Sequence, residues 1–228
     1  YVWVKEEAGN ISDVKSTATG KVTDLTAANV KFTYSPSGWT NKDVTVTAST
    51  TEKNFALQTK KDNGEWQTTN TQKFTENGTI YARLWDGTNA GEEIYKPITN
   101  IDKTAPTATN IEIKNVTPAG YDVYVYGVKD NGSGVNRVQF PTWTEAKGQD
   151  DIQPNWQTGE SSKGTKQADG TTWVYHVNIT DHKTEAGEYN THIYAYDNLG
   201  NGKCIGTQKV TIPMVKITYD ENYVKDGT

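Results

Sequence analysis

The chain has 228 residues, 33% hydrophobic but 11% aromatic, and a formal net charge of −5. So many rings exclude a disordered chain, scarce Leu beside abundant Thr, Val, Tyr and Trp excludes a helical bundle, and no apolar run approaches the ~20 residues of a membrane span. Nucleic acid is excluded as a main partner, because it needs a clustered basic surface and Arg83 and Arg137 are the only arginines here.

In chain order the period-two signals begin with Tyr-Val-Trp-Val at Tyr1. They continue through VKFTY from Val30, DVTVTA from Asp43, TIYARLW from Thr79 and DVYVYGV from Asp122, then TWVYHVNI from Thr172 and THIYAYD from Thr191. Gly, Asn, Asp and Pro separate these runs. Asn-Gly at Asn63, Asn77, Asn131 and Asn201 suits tight hairpins, and no stretch reads as a helix. Short alternating strands at near-regular spacing predict an all-β chain of antiparallel sandwiches.

The strings beginning at Tyr1, Tyr81 and His192 align without gaps over ten residues. Val2 and Val4, Ala82 and Leu84, and Ile193 and Ala195 hold matching places, and Glu6, Asp86 and Asp197 follow. The repeat of roughly 80 to 110 residues has the size of an immunoglobulin-like unit, with each string as its penultimate strand. Residues 1–26 are then the end of a preceding domain, and residues 27–103 are one complete domain. Residues 104–213 form a second, and residues 214–228 are a linker or the first strand of a following unit. Ile-Asp-Lys-Thr-Ala-Pro-Thr from Ile101 is the junction, held extended by Pro106. The abrupt ends at Tyr1 and Val-Lys-Asp-Gly-Thr read as a piece of something longer. Cys204 is the single cysteine, so no internal disulfide forms; an intracellular protein or a bacterial surface protein fits that.

SPSGWTNKDVTVT from Ser35, ENGT from Glu76 and IDKTAPT resemble the tandem bacterial immunoglobulin-like repeats of Gram-positive surface proteins. SGVNRVQFPTWTEAKGQDDI from Ser133 and DHKTEAGEYNTHIYAYD from Asp181 resemble the GBS Bsp-like repeat. The resemblance marks Phe140, Trp143, Glu145, Gln149, Asp150, Asp151, Trp156, Asp181, His182 and Tyr189 as motif positions, read as structural. The sequence departs from the pattern where Gln153, Pro154 and Asn155 precede Trp156 and a polar insertion runs from Thr158 to Gly170. The resemblance implies a secreted, wall-associated, multi-domain protein, but no activity.

Chemistry-bearing residues are sparse. Asp150 and Asp151 are adjacent and point apart, whereas glycoside hydrolysis needs two carboxyls facing each other about 5 to 10 Å apart. Asp150 is expected to accept backbone N–H groups in a turn and Asp151 to cap or form an ion pair. Asp181 and His182 are expected to tie their turn to the backbone. His176, His182 and His192 lie six and ten residues apart, matching no compact zinc motif. Cys204, on the last strand, reads as a small buried hydrophobe. No lysine sits on a clearly apolar face, as an isopeptide cross-link would require. DNGSG from Asp130 and DNLGN from Asp197 are oxygen-rich turns that could take calcium, though these are also ordinary turn residues. No other cofactor is expected.

Alternation places Tyr189, Thr191, Ile193 and Ala195 inward, and His192, Tyr194 and Tyr196 outward. Val138 and Phe140 of the neighbouring strand face the core and Trp143 turns out. Trp143, His192, Tyr194 and Tyr196 are therefore the candidate glycan contacts, unless the connection carrying Trp156 folds over them or a bulge at Pro141 turns Trp143 inward. Tyr81, Arg83 and Trp85 give a weaker copy that reads as ordinary packed surface. The expectation is a non-catalytic spacer of an extracellular, cell-wall-associated protein, whose partners are neighbouring domains of the same chain. The alternative is an adhesive module that binds cell-wall or host glycan.

Overall fold

In the computed structural model Val44, Val46 and Ala48 are buried while Thr45 and Ser49 face out, so the period of two in the sequence becomes an inside and an outside. The structure describes residues 30–214. The remnant expected at residues 1–26 and, beyond Met214, the linker or first strand expected at residues 214–228 lie outside the described residues. The chain divides into two units between Asp102 and Lys103.

The first unit contains β1 (Val30–Ser35), β2 (Val44–Thr50), β3 (Ala56–Lys61), β4 (Thr71–Phe74), β5 (Gly78–Trp85) and β6 (Ile94–Ile98). Two antiparallel sheets, ordered β1-β2-β4 and β3-β5-β6, enclose Val44, Val46, Phe74, Ile80, Leu84 and Ile98. Ile101 joins this core, held by a parallel bridge to Thr40 and by the Asp102 N–H donating to the Thr40 carbonyl at 2.8 Å.

The second unit contains β7 (Asn110–Thr117), β8 (Gly120–Tyr126), β9 (Val135–Gln139), β10 (Thr142–Thr144), β11 (Thr165–Lys166), β12 (Trp173–Asn178), β13 (Gly187–Asp197) and β14 (Gly202–Ile212). One sheet runs β11-β12-β8-β7. In the other, β13 lies between β14 and the broken pair β9 and β10. The core between them includes Tyr121, Val123, Val125, Val138, Phe140, Trp173, Tyr189 and Ile193. Each unit places its penultimate strand centrally in the sheet that excludes its first two strands. The fold is a tandem pair of immunoglobulin-like β-sandwiches.

Two expectations need correction. Arg-Val-Gln-Phe-Pro-Thr-Trp is not one strand: β9 ends at Gln139 and β10 starts at Thr142. Pro141 has no N–H for the ladder, so pairing lapses there, and its carbonyl still accepts from His192 N–H at 3.0 Å. Of the Asn-Gly pairs, Asn201–Gly202 closes a hairpin between paired strands. Asn63, Asn77 and Asn131 lie in connections that pass from one sheet to the other, where consecutive strands are not partners.

Phe74 is fully buried in the first core. Phe74→Ala should cost about 3–5 kcal/mol. In calorimetry of the full chain only one of two unfolding transitions should move; a shared shift would show a common core.

Candidate functional site

β13 is paired along both edges, so its outward side chains form a row across the sheet. Trp143 meets His192 edge to face at a centroid separation of 4.8 Å, and His192 lies 6.5 Å from Tyr194. Trp156, from the connection after β10, packs on Tyr194 at 4.7 Å. The Arg137 guanidinium lies 4.1 Å from the Tyr196 ring centre and its Nε donates to the Gln157 carbonyl at 3.1 Å. Tyr196 also presses on β14, where a Cβ at Gly202 would come within 2.2 Å of the ring; only glycine leaves that space. Trp143, His192, Tyr194 and Tyr196 are thus brought together, all half-buried, with the 156–157 segment over part of the row. Burial holds the His192 pKa below its usual value, which keeps a neutral ring in the stack.

Further along the same connection, Ser162 and Lys163 lie against Gln139, which is opposite Tyr194 in the register and has no exposed surface. Ser162 Oγ lies 3.0 Å from Gln139 Oε1 and 2.9 Å from the Trp156 carbonyl, so a single hydroxyl braces the strand and its cover together.

Beneath this face is a buried polar cluster. The Asp151 carboxylate accepts the Thr144 N–H at 3.1 and 3.2 Å and lies 3.1 Å from His182 Nδ1, with both side chains 1% exposed. His182 lies edge-on to Tyr189 at 5.4 Å, and Tyr189 edge-on to Tyr121 at 6.0 Å. Asp151 pairs with a side chain as expected and also takes the backbone N–H expected of Asp150, while exposed Asp150 pairs with Lys183 instead. The reason is the turn of Asp151 toward the core at the base of the connection. His182 likewise bonds a side chain instead of the backbone, because its 3-10 turn (Ile179–His182) carries it inward. Burial pushes the Tyr189 hydroxyl up to about 12, so it stays protonated and donates to the Glu185 carbonyl at 2.7 Å. A tyrosine hydroxyl bonded to backbone a few residues upstream is a tyrosine corner.

Gln153, absent from the expected set, completes the brace. Its Oε1 accepts the Thr142 N–H at 3.0 Å and its Nε2 donates to the Tyr175 hydroxyl at 3.0 Å. Tyr175 in turn stacks on Phe140 at 5.1 Å. Glu145 accepts from Asn190, Gln149 and Asp181 are exposed, and His176 is an exposed residue bonded to Asp122 at 2.7 Å. Cys204 is exposed, not buried, because it falls on the outward side of an edge strand. The Asp130 carboxylate accepts the Gly132 and Gly134 N–H groups, and Asp197 accepts those of Leu199 and Asn201. Asn198 N–H donates to the Gly134 carbonyl, so these two turns are sewn together.

The first unit carries a comparable row. Arg83 lies 4.0 Å from the Trp66 ring centre and 5.8 Å from that of Trp85. Lys60 lies 4.7 Å from Trp66 and 5.0 Å from Tyr81, which meets Tyr95 at 6.0 Å. Trp66, Lys60 and Tyr95 were missing from the sequence reading. Alternation on β3 would have placed Lys60, but Trp66 lies in an irregular connection with no period.

Residues 108–210 match the sequence pattern of the GBS Bsp-like repeat. The second sandwich is a GBS Bsp-like repeat. No curated protein matches the chain. Among solved structures it is similar to the FN1–FN3 domains of chicken CNTN1, at 14% identity over 78% of this chain and 65% of that one, with a TM-score of 0.38. It is also similar to a tetra-tandem repeat in the extending region of a large adhesion protein, at 16% identity over 80% of this chain and 49% of that one, TM-score 0.36. A polysaccharide deacetylase from Bacillus cereus matches at 15% identity over 48% of this chain and 30% of that one, TM-score 0.34. The chain spans less than two thirds of each of these three structures. Among the described residues no helix is long and apolar enough to cross a membrane.

Removing one member of the sealed pair in the GBS Bsp-like repeat leaves the other uncompensated. Asp151→Ala should cost about 3–5 kcal/mol in denaturant unfolding, whereas Asp150→Ala should cost less than about 1 kcal/mol. Equal effects would contradict the assigned roles.

Two carboxyls with lowered pKa values make the fold sensitive to acid. The bond from Lys147, with that from Thr144, holds the Glu185 pKa low. Burial opposes ionisation of Asp122, but bonds from Asn115 and His176 outweigh it and hold its pKa low as well. Depressed carboxyl pKa values stabilise the fold above the unfolded values near ~4, and that contribution disappears as pH falls through the folded values. The His192 contribution is present above about 6.5 and is lost as pH falls through its lower folded value. Unfolding midpoints measured against pH should therefore fall as pH drops below about 6.5 and again below about 4; midpoints that rise on acidification would contradict both assignments.

Proposed function

We propose that these residues are a non-catalytic spacer in a secreted, cell-wall-associated, multi-domain bacterial surface protein. The observation that carries this reading is that each unit encloses buried clusters made only of its own residues, two in the first and one in the second. A sandwich that completes its own core can be strung with others without depending on them. The chemistry agrees. The sequence's most acid–base-like pair, Asp151 and His182, is sealed inside and braces a turn, and Glu145, Asp150 and Glu185 each hold a neighbouring side chain. Neighbouring domains of the same chain are the partners this reading requires. Membership of a repeat family favours an extracellular setting. Anchoring and any catalysis belong to other domains of the parent protein.

Pulling the full chain by its ends should give two separate unfolding events, each lengthening the tether by about 3.3–3.6 Å per residue released, less the folded length of the unit. Titration with peptidoglycan fragments should give no tryptophan fluorescence change that Tyr194→Ala removes. A single cooperative event would overturn the spacer reading, and a response lost in Tyr194→Ala would favour the adhesive alternative.

A further inference from the structure

We infer that the outer face of the β3-β5-β6 sheet in the first unit is a binding site for a carboxylated polysaccharide. Tyr81, Arg83 and Trp85 recur about every 7 Å along β5 on that face. Gln58 and Lys60 stand opposite Arg83 and Tyr81 on one side, and Tyr95 stands opposite Tyr81 on the other. Trp66 lies over both cations.

Charge decides the occupant. Lys60 has one carboxylate near it, Glu93 at 3.8 Å, and that is a long ion pair. Among the described residues no carboxylate reaches Arg83. Its Nε donates to Gln58 Oε1 at 2.9 Å, which leaves the two terminal nitrogens of the guanidinium for a ligand. The group is half-buried between two indoles, where a charge interaction is stronger than in open water. Its planar fork matches a carboxylate in a bidentate pair.

The rings decide the rest of the ligand. Tyr95 is 66% exposed beside half-buried Tyr81, and a sugar ring can lay its C–H face on such a platform while its acid group reaches the cations. A neutral glycan would leave Arg83 uncompensated, and a simple anion would leave the rings unused. The second unit's row differs, since Trp156 packs on one of its rings and Trp143, His192, Tyr194 and Tyr196 are all half-buried, whereas Tyr95 is exposed. The site goes beyond the spacer reading, and the two-step unfolding that tests that reading does not depend on it.

The test is calorimetric titration of the full chain with oligogalacturonate and with a neutral maltodextrin of similar length. Oligogalacturonate should bind, more weakly as salt rises. Arg83→Gln should weaken binding by about tenfold or more. Tyr95→Ala should weaken it several-fold with an unchanged unfolding midpoint, since that ring carries little of the core; Tyr194→Ala should leave it unchanged. Failure of the wild-type chain to bind, equal binding of the neutral oligomer, or undiminished binding by Tyr95→Ala and Arg83→Gln would overturn the proposal.

Discussion

Strand β13 has neighbours on both edges and packed side chains on both faces, and the second sandwich is arranged around that constraint. A central strand cannot send its outward residues freely into water when they are aromatic. The chain meets the constraint with a connection that folds back across them. The inner face is not purely apolar either. Thr191 sits at its centre, with Tyr121 Oη at 2.7 Å and Thr142 Oγ1 at 3.0 Å from its hydroxyl, and Thr142 Oγ1 also donates to the Phe140 carbonyl. Buried hydroxyls are tolerated because each finds a partner, and such a network fixes which residues face one another. The position of β10 against β13 is specified by polar contacts as much as by volume.

The brace built on Asp151, His182 and Gln153 has the same logic on a larger scale. It anchors the start of a long connection, and Ser162 fastens its far part onto Gln139 and Trp156. Beyond Ser162, β11 pairs with β12, so the segment can carry polar residues without losing its place. That explains how the insertion from Thr158 to Gly170 is accommodated in a repeat of this family.

Both arginines of the chain lie over rings on an outer sheet face, Arg83 between Trp66 and Trp85 and Arg137 over Tyr196. In each unit a tryptophan from an irregular connection packs onto the penultimate strand's outer row. The consequences differ. In the second unit the tryptophan covers an aromatic partner, and the face becomes structure. In the first it packs on one face of two cations, and Tyr95 beside them remains open.

The period of two made the strands legible, and the repeated strings at Tyr81 and His192 located β5 and β13 and their inward and outward sets. What escaped the sequence reading was a set of features made by residues far apart without a period: Trp66 over Arg83, Gln153 between Thr142 and Tyr175, and the inward turn of Asp151. Adjacent acids such as Asp150 and Asp151 cannot be ranked for burial when neither lies in a strand. The most direct test of the account is the unfolding free energy of Trp156→Ala in the full chain. If the connection is a structural cover, the second unit's transition should lose about 2 kcal/mol, below the 3–5 typical of a fully buried tryptophan, and the first unit's transition should stay in place. An unchanged second transition would contradict the account and show that the outer row of β13 stands open.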